Sequence, residues 1–347
     1  EVKELEERLA AWTGARHCVA VASGTEALLI ALLALGVKPG DEVVTTPFTF
    51  AATAEMIALI GAKPVFVDVE EDTANIDVSK LEAAITRRTK AIMPVSLYGQ
   101  AADMDEINAI AARHKLPVIE DAAQSFGAEY KGRKSCNLST IGCTSFFPSK
   151  PLGCYGDGGA IFTSDDALAT AMREIRVHGQ SGRYQHTRIG VGGRMDSIQC
   201  AVVLAKMERF EWEIGQRIEI GAHYDAMFSS FSQIQKIKVR ADRTSVYAQY
   251  TVRVAERAKM EQRLKAQGIP TAVHYPLSLH QQPAYAAGYV GQSFPVSEAL
   301  AREVISLPMH ADLDRATQQR IAAAVREVLR GEFPRNCWSQ ARRDLSA

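Results

Sequence analysis

Short apolar runs alternate with amphipathic stretches through the first half of the chain. Apolar runs of this length are typical of buried strands, and the stretches between them have the spacing of helices. The predicted strands cover residues 17–22, 42–46, 64–69, 91–96, 117–120, 144–147 and 159–163. The predicted helices cover residues 2–12, 25–35, 50–60, 79–85 and 104–114. This alternation predicts an α/β fold with a parallel sheet, whose connecting loops meet at the carboxyl edge where ligands bind.

The pattern changes in the second half. Residues 195–231 have the spacing of one long helix, which is expected to link two domains. The segments that follow predict a strand at 246–255, a helix at 257–266, a strand at 271–275 and a helix at 315–330. The expected organisation is a large α/β domain over residues 1–215 and a small α+β domain over residues 216–333. Residues 334–347 show no periodicity and are expected to be disordered.

Composition and charge narrow the class of protein. The chain has 347 residues, 47% of them hydrophobic and 23% charged, as in ordinary globular proteins. Its 40 acidic residues balance 40 basic ones, so net charge predicts neither a nucleic acid nor a membrane partner. There is no bilayer-length apolar run, no signal peptide, and no CxxC or metal-ligand spacing among the six cysteines. These features predict a cytoplasmic enzyme with reduced thiols and no metal.

Lys150 is the most informative residue of the sequence. It lies between a short apolar strand and a glycine-rich turn, with the hydroxyl of Ser145 five residues before it. A lysine held on such a bend, away from bulk water, loses its proton more readily and can form a Schiff base with an aldehyde cofactor. Most lysines are solvated surface charges, so Lys150 alone does not decide between the two interpretations.

Two further segments carry polar groups directly after predicted strands. Residues 23–28 open a helix, where the free backbone amides and the Thr25 hydroxyl either cradle a phosphate beside Gly24, or Ser23 or Thr25 only caps the helix. Asp121 ends a buried strand and either holds a proton on a heteroaromatic nitrogen or caps the next turn. In the first case Gln124 would donate a hydrogen bond to a neighbouring phenolate oxygen.

Aromatic residues follow a third strand. Phe48 and Phe50 either belong to the core, or one of them stacks on a planar cofactor ring. Pyridoxal phosphate needs an amine for its aldehyde, an acid for its ring nitrogen, a phosphate cup and an aromatic neighbour. The chain offers all four on loops at one edge of the predicted sheet. Their combination favours a pyridoxal phosphate site, although each feature alone keeps its structural alternative.

Four longer motifs give the chain a resemblance to a known family. They are SGTEAL at 23–28, EDAAQSFGAEYKGRKSCNLS at 120–139, TSFFPSKPLGCYGDGG at 144–159 and AVHYPLSLHQQPAY at 272–285. With these motifs the chain, up to about residue 330, resembles the DegT/DnrJ/StrS sugar aminotransferases, which are fold-type I pyridoxal phosphate enzymes. The resemblance implies an aspartate aminotransferase-like fold, with a large, mostly parallel sheet domain and a smaller C-terminal α+β domain.

The resemblance also implies a role for each matching residue. Lys150 would hold the cofactor and carry protons, and Asp121 would pair with the pyridine nitrogen. The other implied cofactor contacts are Gln124 at the ring hydroxyl, Phe50 on the ring face, and Gly24, Thr25 and Ser145 at the phosphate.

Within the family, the sequence is most similar to the aminotransferases that act on UDP-2-acetamido-2-deoxy-3-oxo-glucuronate in O-antigen and lipopolysaccharide biosynthesis. This similarity implies that L-glutamate donates its amino group to the keto carbon of a UDP-linked sugar, in a homodimer with active sites at the interface. Arg194 would bind the uronate carboxylate, unless it forms a structural ion pair with Asp196 or another acid. His274 and Tyr275 would line the pocket, unless His274 is a core histidine with its own partner.

Two features depart from the family pattern. The chain begins at Glu1, without the N-terminal segment that helps to cover the active site in the relatives, so a truncated chain is expected. Gly192 stands where relatives usually carry an asparagine that reaches the partner's cofactor phosphate. Its absence would remove one hydrogen bond, worth about 1 kcal/mol, and would weaken cofactor retention without abolishing the chemistry.

Other functions fit parts of the pattern. The related dehydratases carry histidine where this chain carries Lys150, which argues against that activity. A nicotinamide sugar dehydrogenase would need a GxGxxG motif opening a helix after the first strand, and the sequence has none there. An aminotransferase that aminates C-4 of a different keto sugar nucleotide stays open, as does a catalytically silent regulator or scaffold that binds pyridoxal phosphate.

Overall fold

The computed structural model describes residues 1–331, which contain ten α-helices and fourteen strands. The helices are α1 (Val2–Thr13), α2 (Gly24–Ala34), α3 (Ala51–Leu59), α4 (Val78–Leu81), α5 (Met104–Arg113), α6 (Asp166–Arg176), α7 (Ser197–Phe228), α8 (Arg257–Ala266), α9 (Pro295–Glu303) and α10 (Arg315–Arg330). The strands are β1 (His17–Val21), β2 (Glu42–Thr45), β3 (Lys63–Phe66), β4 (Thr89–Ile92), β5 (Ile119–Asp121), β6 (Glu129–Tyr130), β7 (Arg133–Lys134), β8 (Ile141–Ser145), β9 (Gly159–Thr163), β10 (Gln180–Gly182), β11 (Gln185–His186), β12 (Gln235–Lys236), β13 (Tyr250–Arg253) and β14 (Val304–Leu307).

The central sheet has the strand order β1-β9-β8-β5-β4-β2-β3. It consists of a four-stranded part, β1-β9-β8-β5, and a three-stranded part, β4-β2-β3. Single parallel bridges between Ile92 and Val118 and between Val95 and Asp121 join the two parts at β4 and β5. Only β9 runs antiparallel to its neighbours β1 and β8, and the other pairs are parallel. Residues 146–158 connect β8 to β9 without a crossover helix, so the chain returns in the opposite direction. The mostly parallel sheet expected from the sequence is confirmed, with β9 as the exception.

Helices cover both faces of this sheet because its strands are apolar on both sides. Ile161 packs into a core with α2, α3 and α6, whereas its neighbour Phe162 packs with α1 and α7 on the other face. The same alternation separates Val43 from Val44, since successive side chains of a strand point to opposite faces. Burial on both faces fixes the register of each strand and therefore the place where its following loop begins.

A second, three-stranded sheet has the order β12-β13-β14 and is antiparallel. The end of α7, together with α8 and α10, packs on it around a separate apolar cluster. The strand predicted at 271–275 is wrong, since that segment contributes only one bridge, between Ala272 and Ser306. Pro270 and Pro276 flank it, and proline has no N–H with which to extend a ladder.

Several elements differ from the sequence prediction. Helices α6 and α9, strand β14 and the hairpins β6–β7 and β10–β11 were not predicted. The strand predicted at 246–255 shortens to β13, and the helix predicted at 79–85 becomes α4 followed by a 3-10 turn. No helix within residues 1–331 combines the length and the apolar character that crossing a bilayer requires. The tail predicted to be disordered at 334–347 lies outside the described residues.

Candidate active site

The loops after β1, β2, β5 and β8 converge on a cavity of about 470 Å³. Gln249 and residues 274–275, which lie far along the chain, also line it. Most of the site residues predicted from the sequence line this one cavity: Gly24, Thr25, Phe50, Asp121, Gln124, Ser145, Lys150, His274 and Tyr275. Arg194 is not among the lining residues.

Lys150 lies on the loop between β8 and β9, and its backbone N–H donates a 2.8 Å hydrogen bond to the carbonyl of Phe147. The burial of its amine lowers the pKa of Lys150, and the negative charge of Asp121 partly opposes that shift. An amine with a lowered pKa is more often neutral, which is the form that attacks a carbonyl or accepts a proton.

Helix α7 holds the Lys150 loop from outside the cavity. Lys206 donates a 2.6 Å hydrogen bond to the carbonyl of Gly153, and Gln199 accepts one of 2.9 Å from the N–H of Tyr155. Gly153 is required here, because a Cβ at this position would lie 2.7 Å from the carbonyl oxygen of Pro148. The loop therefore has little freedom to move Lys150 away from the cavity.

Asp121 ends β5 and is only 6% exposed. Its Oδ2 accepts a 2.8 Å hydrogen bond from the Thr53 hydroxyl, and its Oδ1 accepts one of 3.2 Å from the N–H of Ala123. Burial raises the pKa of Asp121, while these two hydrogen bonds and the amine of Lys150 act against that rise. The bond from Ala123 closes a local turn, so Asp121 both caps that turn and faces the cavity.

The start of α2 and the end of β8 meet where the sequence predicts a phosphate cup. Ser23 caps the helix, since its hydroxyl accepts a 3.1 Å hydrogen bond from the N–H of Glu26. A Cβ at Gly24 would lie only 2.6 Å from the Cβ of Ser145, so glycine allows these two segments to touch. Because Ser23 does the capping, the Thr25 hydroxyl stays available, and it has no hydrogen-bond partner within residues 1–331. The helix start can then bind an anion.

The two candidate aromatic residues have different environments. Phe48 is fully buried in the core, as its structural alternative predicted. Phe50 is 56% exposed, lines the cavity and lies 6.2 Å from the ring of Tyr275 between centroids. Phe50 is therefore the aromatic residue that a planar ring in the cavity would meet.

Gln124 is fixed by two hydrogen bonds. Its Oε1 accepts one of 2.8 Å from the N–H of Tyr98, and its Nε2 donates one of 3.0 Å to the hydroxyl of Tyr275. Burial raises the pKa of Tyr275, so the phenol keeps its proton. The amide nitrogen of Gln124 is directed at a phenol from the same chain, and a cofactor hydroxyl would have to share this donor.

His274 is half-buried, so it is not a core histidine, although it has a hydrogen-bond partner of its own. It lines the cavity, and its Nδ1 lies 3.0 Å from the hydroxyl of Ser306. Burial lowers the pKa of His274, and the positive charge of Lys150 adds to that effect. The imidazole is therefore a neutral hydrogen-bonding group next to the cavity.

Arg194 and Gly192 lie away from this cavity. Arg194 borders a separate opening with Val2 and Arg176, and within residues 1–331 it forms no ion pair with Asp196. A Cβ at Gly192 would lie 3.2 Å from the His178 ring, so a larger side chain there would press on that histidine.

Sequence reasoning missed three residues that shape the site: Thr53, Tyr98 and Gln249. Thr49 and Thr53, four residues apart after a strand, gave a partial signal: Thr49 precedes α3 and Thr53 lies in its first turn, and their hydroxyls are 3.1 Å apart. Gln249 gave no local signal. Its Oε1 is buried and has no hydrogen-bond partner in the described part of the chain.

The donor set fits pyridoxal phosphate. A Lys150 amine of lowered pKa and the buried carboxylate of Asp121 line one cavity, which matches the demands of an aldehyde and a ring nitrogen. At the other end, the start of α2 and Ser145 form a narrow cradle that a Cβ at Gly24 would fill. The phosphate would lie there, with Phe50 beside the ring.

Comparison with known proteins gives similarity over nearly the whole chain. The family described as the DegT/DnrJ/EryC1/StrS aminotransferase family matches residues 1–326. The UDP-2-acetamido-2-deoxy-3-oxo-D-glucuronate aminotransferase of Pseudomonas aeruginosa is 58% identical, over 94% of this chain and 90% of the relative. The pleiotropic regulatory protein of Geobacillus stearothermophilus is 46% identical, over 95% of this chain and 89% of that protein. A UDP-N-acetyl-3-dehydro-alpha-D-glucosamine 3-aminotransferase of Acidithiobacillus ferrooxidans is 41% identical, over 95% and 89%.

Solved structures show the same architecture. A DegT/DnrJ/EryC1/StrS aminotransferase from Brucella abortus superposes with a TM-score of 0.90 at 42% identity, over 94% of this chain and 89% of that one. The NtdA protein of Bacillus subtilis, solved with its bound cofactor PMP, gives a TM-score of 0.88 at 30% identity, over 95% and 77%.

Proposed function

The chain belongs to the DegT/DnrJ/EryC1/StrS aminotransferase family, and we propose that it transfers the amino group of L-glutamate to the 3-keto carbon of UDP-2-acetamido-2-deoxy-3-oxo-glucuronate. It is a sugar-nucleotide aminotransferase with pyridoxal phosphate as cofactor. The 58% identity to the Pseudomonas aeruginosa enzyme over 94% of the chain is the observation that carries the choice of substrate. The product would be a 3-amino sugar nucleotide for O-antigen and lipopolysaccharide biosynthesis. A cytoplasmic location stays a prediction.

The residues of this chain divide the chemical work. Pyridoxal phosphate, when bound, supplies an aldehyde that takes up the amino group and a ring that withdraws electrons from the reacting carbon. The Nζ atom of Lys150 would remove the proton from the α-carbon of glutamate, for which its lowered pKa suits it. The carboxylate of Asp121 would hold a proton on the ring nitrogen, and the hydrogen bond from Thr53 favours the ionised form of that carboxylate by opposing the rise in its pKa.

The remaining lining residues would position the two substrates in turn. The backbone at the start of α2, with Thr25 and Ser145, would hold the phosphate while substrates exchange. Phe50 would cover one face of the ring and exclude water from it. The unpartnered Oε1 of Gln249 is a hydrogen-bond acceptor suited to a hydroxyl or amide of the sugar.

A homodimer with active sites at the interface is part of the proposal. Glutamate and the uronate both carry carboxylates. Among the described residues that line the cavity, the only basic side chains are those of Lys150 and His274, and the lowered pKa of His274 favours its neutral form. A carboxylate needs an opposite charge when it leaves water. A second copy of the chain would supply that charge, and Arg194, exposed at a different opening, is the residue we favour for it.

The test is a reconstituted reaction with the UDP-3-keto uronate and L-glutamate, followed by mass spectrometry of the sugar nucleotide and enzymatic assay of 2-oxoglutarate. Equal yields of 2-oxoglutarate and a 3-amino product, with the amine position read by NMR, would support the proposal. No amination of the 3-keto uronate, or turnover only with a 4-keto sugar nucleotide or a neutral keto hexose, would overturn the choice of substrate.

The similarity to a pleiotropic regulatory protein gives the second candidate, a pyridoxal phosphate protein that acts without turnover. The assay separates the two, because a silent regulator would bind the cofactor and form no 2-oxoglutarate from glutamate.

A further inference from the structure

Glu120, the residue before Asp121 in β5, is fully buried and points to the opposite face of the sheet. Three donors converge on its carboxylate. Its Oε1 accepts hydrogen bonds of 3.1 Å from the Ser96 hydroxyl and 2.8 Å from the Ser135 hydroxyl. Its Oε2 accepts one of 2.9 Å from the N–H of Cys136. The carboxylate therefore joins the chain after β4 and the segment after β7 to the end of β5.

These hydrogen bonds continue to both ends of the turn at residues 121–125, which carries Asp121 and Gln124. On one side, the N–H of Ser96 donates a 2.9 Å hydrogen bond to the carbonyl of Asp121. On the other, the Ser135 hydroxyl lies 2.7 Å from that of Ser125, which ends the turn. Two of the three partners of Glu120 thus hold the turn directly.

The segment at 135–136 is pressed against the sheet, so the network has a rigid base. A Cβ at Gly142 in β8 would lie 2.2 Å from the carbonyl oxygen of Cys136, which leaves no space for water between them. The N–H of Ser135 is bonded to the carbonyl of Ala128 at 2.9 Å. Because Ser135 and Cys136 have fixed positions, the point at which they hold Glu120 is fixed as well.

We propose that Glu120 is a positioning residue: its carboxylate sets the orientation of the turn that presents Asp121 and Gln124 to the cofactor, without touching the cofactor. The inference rests on the proposed function only for the turnover assay, because the cofactor titration does not depend on the sugar substrate. A glutamine of the same shape would be a poorer substitute, because its NH₂ group would face either the N–H of Cys136 or the two serine hydroxyls, which would then have to turn from donors to acceptors.

The charge of Glu120 is adjustable near neutral pH. Burial raises its pKa to about 7, against the lowering effect of its three hydrogen bonds. The titratable groups that face it are the Asp121 carboxylate on its own strand and the thiols of Cys136 and Cys143, whose own pKa values burial raises. Protonation would replace an acceptor by a donor in this network, so the turn should be best ordered when Glu120 is ionised.

The experiment compares Glu120→Gln with the matched control Glu42→Gln. Glu42 is also a buried carboxylate that accepts hydrogen bonds from a threonine hydroxyl and from Arg88. It is the first residue of β2, so it lies at the amino ends of the parallel strands, away from the loops that line the cavity. Each variant is titrated with pyridoxal phosphate, and affinity is read by absorbance. We expect about a tenfold loss of cofactor affinity in Glu120→Gln, the effect of one lost hydrogen bond, and no loss in Glu42→Gln.

Turnover gives the second reading. In Glu120→Gln we expect kcat with glutamate to fall, KM to stay near the wild-type value, and the acid limb of the pH profile to change shape. Ser135→Ala removes one hydrogen-bond donor and keeps the carboxylate, so it should show a smaller loss of cofactor affinity and of kcat. This variant tests the inference even if Glu120→Gln does not fold. Unchanged affinity in both variants, or equal losses in the Glu42 control, would overturn the inference. Failure of the proposed substrate alone would leave the cofactor titration unaffected.

Discussion

Thr53 donates a 2.8 Å hydrogen bond to Oδ2 of Asp121, so helix α3 fixes a carboxylate that belongs to strand β5. Behind it, the Thr49 hydroxyl lies 3.1 Å from that of Thr53. Burial raises the pKa of Asp121 and this hydrogen bond counteracts the rise. The bond therefore favours the ionised form of an acid that has little contact with solvent.

Replacing Thr53 by valine keeps the shape of the side chain and removes the donor. Because the hydrogen bond lowers the pKa of Asp121, its loss should raise that pKa, and the ionised carboxylate should disappear at a higher pH than in the wild type. We expect the acid limb of the kcat profile to move upward in pH. Thr49→Val, which leaves the bond to Asp121 in place, should move the limb less. An unmoved limb in Thr53→Val would contradict the role of the bond.

Replacing Lys150 by alanine should remove both the covalent link to the cofactor and the proton carrier. Turnover should fall by about 1,000-fold or more, and the visible absorbance of lysine-bound cofactor should be lost. The variant should still bind pyridoxal phosphate through the phosphate cup, measured by equilibrium dialysis. Lys3→Ala, at a lysine whose side chain is 89% exposed, is the control and should behave like the wild type. Substantial activity in Lys150→Ala would rule out the assigned chemistry.

Replacing Gly24 by alanine should distort the phosphate cup. The added Cβ would lie 2.6 Å from the Cβ of Ser145, so one of the two segments must shift. We expect unfolding free energy to fall by about 1 to 3 kcal/mol, as in other overpacked sites, and cofactor affinity to fall with it. Gly215→Ala is the control, since a Cβ in α7 there meets no atom within 4 Å. That helix substitution should stabilise the protein slightly.

Mixing two inactive chains tests whether Arg194 serves the active site of a second copy. Lys150→Ala and Arg194→Ala chains, unfolded and refolded together, should recover about one quarter of wild-type activity on the uronate. The recovered site would combine the intact Lys150 of one chain with the intact Arg194 of the other. A mixture of Lys150→Ala with Asp121→Asn should stay inactive, because both residues line the cavity of the same chain. No recovery in the first mixture would place Arg194 outside the partner's site.

Much of the candidate site could be predicted from the sequence, because most of its residues lie at the ends of strands or on the loops that follow them. Lys150, Asp121, Gly24 and Phe50 each come directly after, or soon after, an apolar run, and parallel strands bring such loops to one edge. The match to the family motifs then supplied the individual roles. In the structure these four residues line one cavity, as their position after the strands predicts, while their individual roles stay predictions.

Other features depend on contacts that no local pattern records. Strand β14 begins at Val304, directly after α9 ends at Glu303, so no turn residue marks the boundary between the two elements. The bond that fixes Gln124 comes from the backbone N–H of Tyr98, a residue with a positive φ of 58°, and every residue type except proline has such a donor. Gln249 reaches the cavity only through the packing of distant segments.

Helix α7, with 32 residues, contacts both the loop that carries Lys150 and the three-stranded sheet. Lys206 and Gln199 near its start hold the loop of Lys150, while Tyr224 and Phe228 near its end pack beneath β13. Directed evolution toward new sugars should therefore keep this helix intact and diversify the distant cavity-lining residues Gln249, His274 and Tyr275. Libraries that vary α7 would mix changes of specificity with changes in lysine placement, and most of their members would be lost before selection could compare substrates.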